Sequence, residues 1–273
     1  MQYDPIKKVL GNVFNTSPIG RKVFYRLLDV ILLRTWHIKK VIRNWAKSAK
    51  GNISVLDAGS GFGQYSYYLA RKHPSWQIFG VDVKEDQIRE CRDFFKKSGL
   101  TNVQFEQADL VTFNQTGKHH LVLSVDVMEH IEEDTVVFEN LCKSLKPGGM
   151  LLISTPSDKG GSDVDHNHDV ASPQSSFIDE HVRDGYNIDD IAAKLKDAGF
   201  SKVNAAYTYG WPGKISWKLS MKFPILMLNA SKLFFIILPF YFLAIFWFVL
   251  ILNFLDVRLK HSTGTGLLVK AWK

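Results

Sequence analysis

Short apolar runs alternate with segments of helical periodicity through residues 53–200. The apolar runs predict β-strands near 53–58, 77–82, 103–108, 120–126 and 149–154. Between the second and third of these runs, a helical segment begins with the acid Glu85 and ends with the base Lys97, the charge order that a helix favours. Strands that alternate with helices predict an α/β domain, in which helices cover both faces of a parallel sheet.

The first predicted strand continues directly into three glycines, Gly59, Gly61 and Gly63, which are separated by single residues. Glycine permits positive φ and lets a ligand lie against bare main chain. Asp82 follows nineteen residues after the last glycine, at the end of the second predicted strand, where a carboxylate can bind a ribose diol. This order predicts a site for an adenosine-containing cofactor. A dinucleotide-binding turn has its third glycine where this chain has Gln64, so the spacing argues against a nicotinamide cofactor.

Four segments in order along the chain resemble the class I S-adenosylmethionine-dependent methyltransferases, in particular the ubiquinone-type and other small-molecule enzymes. They are the glycine turn at 55–63 together with Asp82, and the segments 107–110, 123–131 and 145–153. The resemblance covers roughly residues 50–210 and the last nine or so. It implies a doubly wound, Rossmann-like sheet of seven strands with the last strand antiparallel, and S-adenosyl-L-methionine as the cofactor.

The same resemblance implies a set of cofactor-binding residues at the carboxyl ends of the first four strands. These are Asp57, Gly59, Ser60, Gly61, Gly63, Asp82, Val83, Ala108, Asp109, Leu110, Val125 and Asp126. In the family, an acid at the place of Asp57 fixes the loop and meets the amino group of the cofactor, and an acid at the place of Asp109 accepts the adenine amino group. For Asp82 and Asp109 the alternative is a helix cap or a turn at a strand end.

His130 is the first candidate for a catalytic base. Methyl transfer from a sulfonium is an in-line displacement, so a base is needed only when the acceptor must lose a proton. His130 follows the fourth predicted strand at its carboxyl end, although it could instead only orient the adjacent loop. Asp126, Glu129 and His130 also resemble a Glu-x-x-Glu-His metal constellation, with Asp in place of the first Glu. Metal-free members carry Glu-His here too, so the pattern does not establish a metal site.

A long polar stretch at 157–187 is typical of a functional lid, because structureless loops of this length are uncommon in compact domains. His181 and Arg183 within it resemble a substrate-side element of the family, before a helix predicted to begin near Ile188. His181 is therefore a second catalytic candidate, and an interhelical hydrogen bond or a surface ion pair is the alternative. The Asp and His residues at 163–169 have the composition of a metal site but suit an acidic turn equally well.

A run at 233–252 contains no charged residue and is as long as a membrane-crossing helix. The last residues, 266–272, resemble the final strand of the family, which pairs beside a strand predicted at 202–209. The run is therefore interpreted as part of a membrane-embedded insertion, 211–262, that enters and leaves one face of the bilayer as a re-entrant or in-plane helical pair. Pro239 within the run favours a kink. A single crossing and a buried core helix are the alternatives.

The first fifty residues carry eleven Lys or Arg and two acids, so the net charge of +7 resides there. Apolar residues recur in this arm at helical spacing, which is typical of an amphipathic helix on an anionic membrane surface. A lid over the cofactor is the alternative, and both are compatible. We expect no nucleic-acid partner, since no recognisable binding module accompanies the charge. Two cysteines without metal or disulfide spacing, and no secretory signal, favour a cytosolic setting.

These observations predict four regions: a basic helical arm at 1–50, a methyltransferase core at 51–210, the hydrophobic insertion at 211–262 and the final strand of the core at 263–273. The predicted function is methyl transfer, by O-methylation, to an amphiphilic acceptor such as a lipid, a quinone or a polyene-type ring. We expect the protein on the cytoplasmic face of a membrane, in contact with one leaflet. A nicotinamide-dependent oxidoreductase and a non-catalytic membrane adaptor that keeps the fold are the alternatives.

Overall fold

A computed structural model describes residues 17–160, 182–231 and 233–273. Its centre is one sheet of seven strands in the order β3-β2-β1-β4-β5-β7-β6. The strands are β1 Ser54–Ala58, β2 Gln77–Asp82, β3 Val103–Gln107, β4 His119–Val125, β5 Leu145–Pro156, β6 Lys202–Thr208 and β7 Gly266–Trp272. The five strands predicted between 53 and 154 are all present, and the doubly wound α/β class is confirmed.

The direction of the strands decides where a ligand can bind. Strands β1 to β5 pair in parallel, whereas β7 pairs antiparallel with both β5 and β6. Strand β6 therefore runs in the same direction as β1 to β5, and the carboxyl ends of six strands meet at one edge. Ligands of open α/β sheets bind at this edge. The antiparallel final strand agrees with the sequence-based expectation.

Helices cover both faces of the sheet. They are α1 Pro18–Ile31, α2 Leu33–Ala46, α3 Gln64–Lys72, α4 Glu85–Lys97, α5 Asp134–Ser144 and α6 Ile188–Asp197. Helix α1 begins where the Ser17 side chain accepts from the Gly20 amide at 3.0 Å, with Pro18 at its first position, where a missing amide costs nothing. Neighbouring positions of one strand contact opposite layers: Leu56 lies in the core beside α5, and Val55 packs with Ile38 of α2.

The segment between β6 and β7 forms a helical pair that stands apart from the sheet. Its first arm is α7 Trp211–Trp217, a π-helical segment Lys218–Lys222 and α8 Phe223–Ala230, and its second arm is α9 Phe234–Arg258. Helix α9 has 25 residues; its most apolar stretch of 18 residues has a mean hydropathy of 2.7, and only 17% of that stretch is buried. One helix among the described residues is thus long and apolar enough to cross a membrane.

The helical pair turns outside the uncharged run. Pro239 was predicted to favour a kink within the run, which was interpreted as part of a re-entrant or in-plane helical pair, and α9 continues through that proline as one helix. The chain reverses before Leu233, where the Ser231 side chain accepts from the Leu233 amide at 3.2 Å. Pro239 lies in the second turn of α9, close to the helix start, where a missing amide is tolerated better than in the middle. The first arm supplies the other half of the pair.

Candidate cofactor and acceptor site

The glycine turn after β1 has a backbone that only glycine adopts readily. Gly59, Gly61 and Gly63 have φ of 79°, 52° and 78°. The Gly59 and Ser60 amides both donate to the Val81 carbonyl, at 2.9 and 2.8 Å, and these two hydrogen bonds hold the turn against β2. A side chain on Gly59 would lie 2.9 Å from Cγ1 of Val127 and closer still to its Cγ2. The turn therefore brings bare main chain to the carboxyl edge of the sheet.

Asp82 holds this turn from the end of β2. Its Oδ2 accepts from the Gly61 amide at 2.8 Å, and its Oδ1 accepts from the Lys84 amide at 3.0 Å. The turn role that competed with a ligand role is thus present in the structure, and the carboxylate still lies where the resemblance implies a ribose contact. Val83 beside it is 54% exposed and offers an apolar surface at the same edge.

Asp57 is buried beneath the turn. Its Oδ2 accepts from both the backbone amide and the hydroxyl of Ser66, at 3.1 and 2.6 Å, so the acid anchors the start of α3. Burial raises the pKa of Asp57 to about 6. The Ser60 hydroxyl nearby is shielded from solvent and has no hydrogen-bond partner in the described part of the chain. An unpaired buried hydroxyl beside bare main chain fits a bound molecule that carries its own polar groups.

The remaining predicted cofactor residues lie at the ends of β3 and β4. Ala108 is half-buried and Leu110 is buried, which suits a flat apolar ring between them. Asp109 is exposed, and its Oδ1 accepts from the Val111 amide at 2.9 Å, so it also closes a local turn. Val125 ends β4 and is half-buried. All of these positions share the edge that carries the glycine turn.

Asp126, which was also predicted to bind the cofactor, follows β4 at the same edge. It has a positive φ of 53°, unusual for a residue with a side chain, and its carboxylate pairs with Arg34 of α2. The Arg34 amide donates to the Tyr209 hydroxyl at 3.0 Å, so the end of β6 meets the end of β4 through α2. Burial raises the pKa of Tyr209 to about 12, which keeps this phenol neutral.

Glu129 and His130 follow in a short 3₁₀ turn, Met128–His130. Glu129 is 1% exposed, and its Oε2 accepts from the Thr155 hydroxyl at 3.1 Å. Burial raises the pKa of Glu129. His130 is exposed at the rim, where its imidazole is accessible to an acceptor. Within the described residues, no three or more His, Cys, Asp or Glu side chains lie together as a metal site.

The second catalytic candidate, His181, lies outside the described residues, as does the Asp and His cluster at 163–169. Arg183 is described, and its guanidinium pairs with Asp134 at the start of α5 and with the Tyr186 hydroxyl. It also donates to the Ile131 carbonyl at 2.9 Å. These contacts give Arg183 a structural role, through an ion pair with a buried acid and not the surface ion pair of the alternative interpretation.

The amino-terminal arm covers the glycine turn. Arg21 of α1 donates to the Phe62 carbonyl at 2.7 Å, and the Tyr25 hydroxyl donates to the same carbonyl. Gln64, which replaces the dinucleotide glycine, donates to Asp29 of α1 at 3.0 Å. The arm is therefore a lid on the cofactor turn, one of the two roles that its amphipathic pattern allowed.

A buried acid, Asp256 near the end of α9, holds the base of the helical pair. It is fully buried; its Oδ1 lies 2.8 Å from His37 Nε2 and accepts from the Tyr209 amide at 3.2 Å. Its Oδ2 accepts from the Gly213 amide at 3.0 Å and lies 3.2 Å from His261 Nε2. We refer to this set as the Asp256 clamp. It joins α2, the start of the insertion and the approach to β7.

The sequence did not identify Arg34, Tyr209 or Asp256. Arg34 was counted only as one of many basic residues in the arm, and Tyr209 only as the end of a strand. A signal was present for Asp256, since an acid four residues beyond an uncharged run needs a buried partner. The partner, His37, lies 219 residues away in the sequence, and no local pattern connects the two.

A family model described as a methyltransferase domain matches residues 49–200, more than half of the chain. The chain belongs to the class I S-adenosylmethionine-dependent methyltransferases. Its cofactor is therefore S-adenosyl-L-methionine, as predicted. Membership also decides against the nicotinamide-dependent alternative.

Relatives of this methyltransferase act on different acceptors. It is 32% identical over 161 residues to phosphoethanolamine N-methyltransferase 1 of Arabidopsis thaliana, and this match covers 55% of this chain and 29% of the relative. It is 26% identical over 117 residues to the ubiquinone biosynthesis O-methyltransferase of Leptothrix cholodnii, covering 41% and 49%. The chain thus spans less than a third of the plant relative and about half of the bacterial one.

The fold also matches solved structures. Phosphoethanolamine N-methyltransferase 2 of Haemonchus contortus, in complex with S-adenosyl-L-methionine, superposes with a TM-score of 0.62 and 16% identity over 99% of this chain and 60% of that one. The cyclase SpnF superposes with a TM-score of 0.57 and 17% identity, covering 86% and 80%. At these identities the likeness concerns the fold alone.

Proposed function

We propose that this methyltransferase transfers a methyl group to an oxygen of an amphiphilic acceptor that it takes from the cytoplasmic leaflet of a membrane. One observation carries the proposal: the apolar helical pair leaves the sheet at the carboxyl end of β6, the same edge that carries the glycine turn and Asp126. A headgroup or ring that leaves the bilayer along this pair arrives beside the cofactor turn.

The exposure of α9 supports contact with lipid. Its amino-terminal two thirds expose a band of large apolar side chains, among them Phe240, Leu243 and Trp247, which are at least 70% exposed. Soluble monomers rarely expose so much contiguous apolar surface. The carboxyl-terminal third is anchored in the protein by Leu252, Asn253 and Asp256.

Entry from one side follows from the position of β7. This strand pairs between β5 and β6 and comes after α9, so both ends of the insertion belong to the same sheet. A single crossing would leave β7 on the opposite side of the bilayer and remove it from the sheet. Lys214 and Arg258, at the two ends of the insertion, carry the positive charge that is typical of the cytoplasmic side.

The residues of the site support a displacement in which positioning does most of the work. When bound, S-adenosyl-L-methionine supplies a methyl group that its sulfonium has already activated. Gly59 and the neighbouring main chain would hold the cofactor, Asp57 would accept from its amino group, and α1 excludes water from the turn. His130 takes the proton from an acceptor hydroxyl at the exposed rim.

Transfer to nitrogen is the second candidate, because phosphoethanolamine N-methyltransferases are among the relatives. One experiment separates the candidates: the full chain is incubated with vesicles of membrane lipid extract and cofactor with a deuterated methyl group, and mass spectrometry locates the label. Label on an oxygen of a lipid-soluble species supports the proposal, and label on an amine supports the second candidate. Label only on water-soluble species refutes the membrane acceptor, and cofactor binding without transfer indicates a non-catalytic adaptor.

The base is tested by His130→Gln. We expect kcat to fall about 10²- to 10⁴-fold with an oxygen acceptor, while cofactor affinity stays unchanged. His120→Gln, at the opposite end of β4, is the matched control and should leave turnover near that of the unaltered protein. Unchanged turnover of His130→Gln across the pH range would remove this histidine from the mechanism.

A further inference from the structure

A basic cavity of about 230 Å³ lies against α1, away from the cofactor turn and the acceptor edge. It is lined by Lys22, Arg26, Tyr67, Arg71, Ser98 and Leu100. We refer to it as the α1 basic pocket. None of its lining residues takes part in the site described above, so it requires a separate explanation.

Three cations surround this pocket without a matching acid. Lys22 and Arg26 are one turn apart on α1, and Arg71 comes from the last turn of α3. In the part of the chain that the structure describes, none of the three forms an ion pair with a carboxylate. Arg71 donates instead to the Tyr67 hydroxyl at 3.2 Å and lies over its ring. Like charges that converge on one cavity repel each other, and a bound anion relieves that repulsion.

The pocket also holds an unused hydrogen-bond donor. The Ser98 hydroxyl is shielded from solvent and has no partner among the described residues. Buried hydroxyls are nearly always hydrogen-bonded, so an unpaired one on a residue that lines this basic pocket indicates a missing acceptor. Phosphate oxygens accept from hydroxyl, ammonium and guanidinium groups together. The donor set of the pocket therefore fits a phosphate group.

The surroundings of the pocket point to a lipid as the source of the phosphate. Ile19, Val23 and Leu27 form an exposed apolar stripe along α1, beside Lys22 and Arg26. The far end of α1, at Val30 and Ile31, lines a cleft with Phe242 and Phe246 of α9. Helix α1, which carries the stripe and two of the cations, thus contacts the helical pair at its carboxyl end. Apolar residues in the acyl boundary with adjacent cations at headgroup depth are typical of interfacial helices.

We propose that the α1 basic pocket binds the phosphate of an anionic membrane lipid and thereby holds α1, the lid of the cofactor turn, on the bilayer. The proposal rests on the membrane contact proposed above. It adds a specific headgroup site to that contact, separate from the acceptor. Because Arg21 and Tyr25 of the same helix hold the Phe62 carbonyl of the glycine turn, lipid bound here also stabilises the closed lid.

The test is flotation of the full chain with neutral phosphatidylcholine vesicles and with vesicles that contain phosphatidic acid. The test variant is Lys22→Gln/Arg71→Gln, and the matched control is Lys96→Gln/Lys97→Gln, which removes the same charge from the exposed end of α4. We expect the test variant to lose about tenfold or more of its affinity for anionic vesicles and the control less than about threefold. Both should bind neutral vesicles equally.

Ser98→Ala separates a built pocket from diffuse attraction, because it removes the hydroxyl and no charge. We expect it to lower affinity for anionic vesicles several-fold without changing the salt dependence. Equal losses in the test and control variants, or no effect of Ser98→Ala, would overturn the proposal. The proposal would also be overturned if inorganic phosphate stabilised the protein as strongly as anionic vesicles do, since the phosphate bound in the pocket would then come from a soluble anion.

The failure of the proposed function looks different. A chain that binds neither vesicle type refutes membrane contact as a whole and with it the acceptor proposal. A chain that binds neutral vesicles and methylates a lipid, but shows no preference for anionic ones, refutes only the phosphate site.

Discussion

The Asp256 clamp allows a quantitative prediction for Asp256→Ala. The substitution leaves the amides of Tyr209 and Gly213 without their acceptor and removes the carboxylate partner of His37, while His261 keeps only its contact with the main-chain carbonyl of residue 256. An unsatisfied buried donor costs about 1–3 kcal/mol, and loss of one partner from a buried charged network costs about 3–5 kcal/mol. These two costs describe partly the same lost contacts and are not added, so we expect the free energy of unfolding to fall by about 3–5 kcal/mol.

For a chain of 273 residues that loss corresponds to a decrease in Tm of about 5–9 °C. Thermal unfolding in detergent measures the effect, and limited proteolysis near residue 210 detects release of the helical pair from the sheet. Asp256→Asn keeps one acceptor oxygen and should lose roughly half as much. Asp93→Ala, on the exposed face of α4, is the control and should change stability by less than about 0.5 kcal/mol. A loss below about 1 kcal/mol for Asp256→Ala would refute the assignment of a clamp.

Three further predictions concern the site. Gly59→Ala should weaken cofactor binding at least about tenfold, because φ at this position is 79° and the alanine side chain would clash with Val127. Calorimetry measures the cofactor affinity, and an affinity within twofold of that of the unaltered protein would contradict the prediction. Burial raises the pKa of Asp57 from 3.8 to about 6, because folding disfavours the charged form of this carboxyl group. The stability of the cofactor-free protein should therefore fall as pH rises from about 4 to 6. Cofactor binding needs the charged form, so cofactor affinity should fall about tenfold per pH unit below 6. Thermal melts and calorimetry from pH 4 to 8 test this, and flat profiles in both would exclude it. Arg34→Met should release the carboxylate of Asp126, a predicted cofactor-binding residue, and weaken cofactor affinity about tenfold, which calorimetry can measure. Unchanged cofactor affinity with a raised KM for the acceptor would place Asp126 on the acceptor side instead.

Much of the fold could be predicted because its signals are local. The continuous apolar runs of β1 and β4 reflect strands that are buried on both faces, and the periodicity of α4 reflects 3.6 residues per turn. Gly59 and Asp82 stand at fixed offsets from strand ends, so their meeting at one sheet edge follows from a parallel topology. The antiparallel final strand required the family resemblance, because a strand of seven residues alone does not indicate its direction.

The sequence by itself thus determined the order of strands and helices, the glycine turn and the presence of a long uncharged run, since each depends on residues within one or two turns of each other. Only the tertiary structure decided that the run is one helix of a pair whose first arm begins at Trp211. It also decided that Arg34 meets Asp126 and that Asp256 meets His37, contacts between residues 92 and 219 positions apart. Such pairs leave no periodic pattern and no fixed spacing in the sequence. They form only when the helices pack against the sheet and bring distant charges together in a space from which water is excluded.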